Sequence, residues 1–418
     1  MLLRSALAFA LVALAALRAP AQSERAPSDH PRVRAALDSI RAHNAWTLAQ
    51  QTSICEIPAP PFKEARRAAE LRRRFTALGF KRVRTDAEGN VIAERPGVAT
   101  GPTVVISGHL DTVFPEGTNV RVKRSGTRLT APGIGDDCRG LAVMLAVARA
   151  FAEARVVTEG TVYFIGTVGE EGPGNLRGVR HLFGKEMKGK IDYFISVDGS
   201  GLSLTSRAVG SHRYRVAFKG PGGHSYGAFG MPNPIHALGR AIAAIGDITV
   251  PASPKTTFNV GVISGGTSVN SISAEGVMDV DLRSESPAAL ATIDAEFRRA
   301  VAAALDAEHA RWPASRVRLT VAIDTAGIRP AGGQPDSARI VRIALAARSA
   351  LGVPATPTGA SSTDSNIPMS LGIPAITLDG GGRDSGAHSL DEWYDDGTDG
   401  YLGPQWAALV VAMLAGVR

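Results

Sequence analysis

The sequence predicts an α/β fold: a mostly parallel sheet covered by helices on both faces, interrupted by a smaller inserted domain of ferredoxin-like β-α-β-β-α-β order. Three observations predict it. Apolar runs at TVVIS (103–107), TVYFIGTV (161–168) and DYFISV (192–197) alternate with helical stretches such as GLAVMLAVARAFAEA (140–154), the pattern of parallel strands buried on both faces. From Arg207 the order becomes strand, helix, two strands, long helix, strand, which is the ferredoxin-like order. After Thr325 the first rhythm returns, so the flanking segments belong to one sheet. At 418 residues the chain exceeds a single hydrophobic core. These rhythms divide it into residues 22–206, 207–325 and 326–418, preceded by a leader, residues 1–21.

That leader, MLLRSALAFALVALAALRAPA, has an early Arg4, an apolar stretch from Ala6 to Leu17, and small residues at Ala19 and Ala21. This is the layout of a secretory signal peptide, so an exported protein, periplasmic or extracellular, is expected. The stretch is short for a membrane span and no other segment is longer and as apolar, so no membrane attachment is expected after cleavage. Removing Arg4 and Arg18 takes the net charge from +7 to +5. The remaining basic residues are interleaved with acids, and clusters such as Arg72-Arg73-Arg74 suit a solvated helix face better than nucleic acid. Only Cys55 and Cys138 are present. Two cysteines make no disulfide framework, and no paired-cysteine zinc spacing exists.

Residues 32–51 and 62–78 carry amphipathic helical periodicity, separated by the proline-rich CEIPAPPFKE. A hairpin comes next, turning at DAEGN (86–90). In the insert, RYRVAFKG (213–220) reads as a strand and PNPIHALGRAIAAIGDI (232–248) as a helix. TTFNVGVI (256–263) and GVMDVDLRSE (276–285) read as strands, residues 288–312 as a long helix and RVRLTVAI (316–323) as the last strand. A helix at 336–351, the strand PAITL (374–378) and a helix near 402–416 complete the chain.

In open α/β sheets working groups gather beyond the carboxyl ends of the strands, so the residues just past each strand matter most. TVVISG leads into His109 and Asp111, TVYFIGTVG into Glu170 and Glu171, DYFISV into Asp198, and PAITL with its loop into His388. GIGDDCRG places Asp136 and Asp137 just before an apolar helix. Singly, each has a plainer role: a strand-end histidine, a solvated turn, a helix N-cap. Jointly they put several acids at one sheet edge, and clustered uncompensated charge is costly unless cations offset it. Two imidazoles and several carboxylates without a thiolate suit zinc, manganese or cobalt rather than calcium. The set is too large for one catalytic ion, so two divalent ions bridged by a carboxylate are expected. Asp111, two residues past His109 on the same strand face, is expected to orient that imidazole. Of the adjacent glutamates, Glu171 is assigned as ligand and Glu170 as general base toward an attacking water.

With these motifs in view, the sequence resembles the M20 family of metallopeptidases, which includes glutamate carboxypeptidases, tripeptidase T, acetylornithine deacetylase, succinyl-diaminopimelate desuccinylase and aminoacylases. GHLDT, GIGDDCRG, GEEGPG, SVDGS, GPGGHS and GAHS occur in the family's order, and EIPAPPFKE resembles its N-terminal segment. The resemblance implies a dizinc site with His109 and Asp198 on one ion, Glu171 and His388 on the other, and Asp136 bridging, with Asp137 the alternative one residue away. It supports Asp111 as the orienting acid and Glu170 as base. Where many members carry a Lys after the bridging Asp, this chain has Cys138 and Arg139; Cys138 reads as a small buried packing residue. The resemblance further implies that the insert is a lid and a homodimer interface, that His224 in GPGGHSYG polarises the substrate carbonyl, and that Asn270 and Arg283 bind the substrate's carboxylate. A planar guanidinium suits that last role. The expected activity is hydrolysis of short peptides with a free carboxylate. N-acyl-amino-acid deacylation on the same site is the alternative, and a catalytically silent carboxylate-binding protein is the alternative from another class.

Overall fold

The computed structural model describes residues 26–418, so the expected signal peptide lies outside the described residues. The larger body is built on a nine-stranded sheet. Its order is Arg82–Thr85, Val91–Arg95, Val162–Thr167, Val104–His109, Tyr193–Val197, Ala375–Leu378, Leu204–Ala208 and Gly332–Gly333, with Gly359–Ser361 also pairing to Leu204–Ala208. The four central strands, from Val162–Thr167 to Ala375–Leu378, run parallel. They are the apolar runs of the sequence, and Val104–His109 is buried along its whole length. At one margin the hairpin joins antiparallel; at the other, Leu204–Ala208 does.

Helices cover both faces because strands apolar on both sides need cover on both. Helices Pro31–Ala42, Asn44–Cys55, Cys138–Glu153, Arg339–Ala350 and Leu402–Ala415 share one core with the sheet. Cys138–Glu153 lies at its centre and buries residues all round. On the opposite face Leu176, Val179, Leu182, Phe183 and Ile367 pack around Ile165 and Phe194. The helix expected over 32–51 is two helices, broken at His43. Periodicity does not reveal the break because both halves turn an apolar side toward the same helix, Cys138–Glu153.

The inserted unit has its own antiparallel sheet, ordered Thr256–Gly265, Glu275–Ser284, Gly210–Lys219, Thr320–Arg329. Helices Pro234–Gly246 and Pro287–Arg311 pack on one face over Tyr214, Val216, Phe218, Met278, Val280 and Leu282. Both helices carry local start signals: a Pro in the first turn, after Asn233 or Ser286 whose side chain accepts a backbone N–H. The other sheet face is polar, because Arg213, Arg215, Asp279, Asp281 and Arg283 alternate with those apolar residues. The last strand begins at Thr320, four residues later than the expected RVRLTVAI, and runs on to Arg329, since the polar stretch DTAGIR pairs with Gly210–Lys219. A small sheet of Lys123–Ser125, Arg128–Thr130, Trp393–Asp395 and Arg383–Ser385 was not foreseen. Its strands are three residues each, and its halves join at Trp393 and Thr130, 263 residues apart in the chain. Strands so short and so remote leave no local pattern.

Candidate metal centre and active site

Four strand ends converge on one point. His109 closes Val104–His109; its Nδ1–H donates to the Asp111 carbonyl at 3.0 Å, leaving Nε2 free to face Asp136 Oδ1 at 2.8 Å. That backbone bond decides the tautomer and so which nitrogen is open to a cation. The Asp111 carboxylate stands 3.7 Å from Nδ1, and its oxygens accept the backbone N–H groups of Glu170 (3.0 Å) and Glu171 (2.8 Å). Asp111 therefore steadies the imidazole chiefly by its carbonyl, while its side chain holds the turn that carries both glutamates.

Asp136 and Asp137 do different jobs although they are neighbours. Asp137 Oδ1 accepts the Gly140 N–H as the cap of helix Cys138–Glu153, and its Oδ2 accepts the His109 N–H at 2.8 Å. Both its oxygens are thus committed to backbone. Gly140 is required here, since a Cβ would lie 2.2 Å from the Val197 carbonyl and 2.3 Å from Asp137 Oδ1. Asp136 instead points outward between two imidazoles: Oδ1 to His109 Nε2, and Oδ2 to His388 Nε2 at 3.1 Å. Glu392, fully buried, fixes the loop behind it by accepting the N–H groups of Gly133, Gly135 and Asp136 at 2.7–3.0 Å. Cys55 and Cys138 are free and buried.

His388 adopts a left-handed backbone, φ 67°, a costly conformation for a non-glycine residue that is retained where the surroundings demand it. Its Nε2 also meets Glu171 Oε1 at 2.9 Å. His109, Asp136 and Asp198 offer ligand atoms all within 4.8 Å of one another, as do Asp136, Glu171 and His388. Two donor sets sharing one carboxylate fit a pair of divalent cations.

The electrostatics fit the same pair. Burial and the nearby Asp136 push the Asp198 carboxyl up to about 8. Hydrogen bonds to Asp136 and Glu171 raise His388 to about 10 against its burial. Burial pulls His109 down, yet bonds to Asp111 and Asp136 lift it well above its ordinary value. The acids thus demand positive charge at this spot. One consequence is testable on chelator-stripped protein. Asp198 at about 8 and Asp379, raised by burial to about 7, both start from 3.8. Their stabilisation is complete below about pH 4 and is lost as pH rises through 7 to 8. Melting temperature should therefore fall steadily from pH 5 to 8.5 without metal, and added zinc should flatten the slope. A slope that is flat or reversed without metal would contradict this charge balance.

Glu170 is deeply buried, and its Oε1 accepts from Arg329 Nη1 at 2.8 Å. Arg329 also donates to the Glu170 carbonyl and to Ser362 Oγ. Burial drives the Glu170 carboxyl well above its ordinary value, opposed by Arg329 and reinforced by Glu171. Sequence reasoning missed Arg329. It ends a strand of the insert and reaches the base only because that strand runs to the edge of the larger sheet.

A cleft of about 450 Å³ opens over these groups, lined by Asp136, Glu170, Glu171, Asp198 and His388 on one side. Arg213, Arg283 and Arg329 line it as well. Arg283, read from the sequence, is thus at the cleft; Arg213 was missed, although the alternation RYRV placed it on the polar sheet face. His224 and Asn270 are not brought to this cleft within one chain. They share a separate groove of about 700 Å³ on the insert, beside Ser264–Thr267. There the exposed His224 accepts the Tyr226 and Gly227 N–H groups at Nδ1, at 3.3 Å each, so its Nε2 is the outward donor.

The chain is similar to known proteins in sequence and in fold. A family model described as peptidase family M20/M25/M40 matches residues 105–402. The succinyl-diaminopimelate desuccinylase of Leptothrix cholodnii is 31% identical over 235 residues, covering 50% of this chain and 61% of that protein. The aminopeptidase PepT of Bacillus cereus superposes with a TM-score of 0.72 at 21% identity, over 88% of this chain and 98% of that one. The YXEP protein of Bacillus subtilis, described as a dinuclear metal binding peptidase of the M20 family, superposes with a TM-score of 0.66 at 18% identity, over 89% and 99% of the two chains. At these identities the two structures establish the fold.

Proposed function

Because the chain belongs to peptidase family M20/M25/M40, and is therefore a metal-dependent peptidase or amidohydrolase, we propose that it hydrolyses the amide bond of short peptides bearing a free carboxylate. The observation that carries the reading is Asp136, whose two oxygens face two different histidines, each with its own further carboxylate. His109 and Asp198 would hold one divalent ion, Glu171 and His388 the other, with Asp136 shared. The donor set suits zinc, with cobalt or manganese as substitutes. When bound, such ions polarise a carbonyl and acidify water.

The chain's own groups supply the rest. Glu170 takes the proton of the attacking water and returns it to the departing nitrogen. Its burial supports that role, since a raised pKa brings a carboxyl nearer to the working pH. Asp111 keeps Glu170 and Glu171 in register through their backbone N–H groups. Arg283 grips the substrate's carboxylate. His224 and Asn270 would come from a second copy through the insert, since their groove stands apart from the cleft of their own chain; His224 Nε2–H then donates to the carbonyl oxygen as it gains charge. Export rests on the leader's composition alone; mass spectrometry of the extracytoplasmic fraction should find a chain beginning near Gln22.

The desuccinylase similarity favours one rival, deacylation of N-acyl amino acids on the same site. Zinc-reconstituted protein should hydrolyse dipeptides faster, by kcat/KM, than N-acetyl amino acids sharing the same departing residue. The reverse order would install the deacylase. Failure on both sets with metal bound would revive a silent carboxylate binder.

A further inference from the structure

The polar face of the inserted sheet sets two guanidiniums around one carboxylate. Arg213 and Asp281 are opposite one another in the ladder between Gly210–Lys219 and Glu275–Ser284, and Arg283 lies two residues past Asp281 on the same face. Asp281 Oδ1 accepts from Arg213 Nε at 3.2 Å and its Oδ2 from Arg283 Nε at 2.6 Å. Each arginine thereby commits one donor; among the described residues, the Nη groups of both meet no acceptor. Both side chains line the cleft, with 29% and 39% of their surface exposed. They are accessible but held.

Asp281 sets the spacing of the two planes and offsets one of their two charges. One arginine would serve a single terminal carboxylate, and the third at the cleft, Arg329, is engaged by Glu170. A second fork beside the first, unspent and tethered to the same acid, is a receptor for a second anionic group on the same residue. Resting on the hydrolase reading, the geometry points to substrates whose departing residue is a dicarboxylic amino acid, with its terminal carboxylate on Arg283 and its side-chain carboxylate on Arg213. Arg213 is then a specificity-determining residue. The same sheet face holds a built-in comparison. Arg215 pairs with Asp279 at 3.4 Å, both more than 40% exposed, and neither lines the cleft.

The test uses zinc-loaded protein and matched substrates differing in one charge: Ala-Asp against Ala-Asn, and Ala-Glu against Ala-Gln. Wild type should favour the acidic member by about 10–100-fold in kcat/KM, the range of a charge-assisted hydrogen-bonded pair. R213Q should cut that ratio at least about tenfold, and R215Q should leave it at the wild-type value. If R213Q melts too low to assay, salt decides: raising ionic strength from about 0.05 to about 0.5 M should shrink the wild-type ratio several-fold. A wild-type ratio near one, or a ratio untouched by R213Q while amide hydrolysis persists, overturns the proposal and leaves the hydrolase reading standing. No hydrolysis of any of the four overturns the proposal, and failure on the N-acetyl amino acids as well removes the hydrolase reading with it.

Discussion

Glu170→Gln is expected to lower kcat by about 10²–10⁴-fold while both metal ions remain bound, the usual loss on removing a general base. Glutamine keeps the volume of the buried side chain and can still accept from Arg329, whose Nη1 lies 2.8 Å from Oε1. It cannot take a proton. Because the base acts on the transition state and not on substrate binding, KM should move little, and kcat and kcat/KM should fall together. Metal analysis beside the kinetics separates this role from its competitor. His109, Glu170 and Glu171 also lie close enough to form a donor group, so Glu170 could in principle be a ligand. A variant that loses turnover and metal together would make it one, and a variant with near wild-type kcat would end its role as base.

The second large effect contrasts two adjacent acids. Asp136→Ala should release both ions and bring turnover to background, because its two oxygens serve both donor sets. Asp137→Ala should keep the metal donors but destabilise the fold by about 2–4 kcal/mol, combining a lost helix cap with the stranded His109 N–H. Metal content and denaturant unfolding of the metal-free proteins give both readouts. If Asp137→Ala loses metal without losing stability, the assignments of the two acids are exchanged.

The parts of this site legible from the sequence are those bound to a local pattern. The central strands announced themselves as apolar runs, and strands of that kind must be covered on both faces, which makes their carboxyl ends a common edge. His109, Glu170, Glu171, Asp198 and His388 could be picked out because each stands just beyond such a run. Arg213 was within reach of the same reasoning, since it alternates with Tyr214 and Val216 on a half-buried strand. Arg329 and Glu392 were not. Each acts across more than 150 residues of chain, on Glu170 and on the Asp136 loop respectively, and no spacing within either segment encodes a partner so remote.

Composition and periodicity therefore determined the fold class, the helical and strand segments, and the chemical identity of the groups at the sheet edge, because burial of alternating or continuous apolar residues leaves few ways to arrange them. What only the tertiary structure decided is which oxygen meets which nitrogen. Asp136 and Asp137 are chemically identical neighbours, and one is a bridge and the other a cap solely because the Gly140 and His109 N–H groups take up the second. Likewise Asp111 carries its carboxylate to a backbone turn rather than only to its neighbouring imidazole. Hydrogen bonds are short and directional, so their pairing is settled by the packed positions of distant segments and not by the order of residues along the chain.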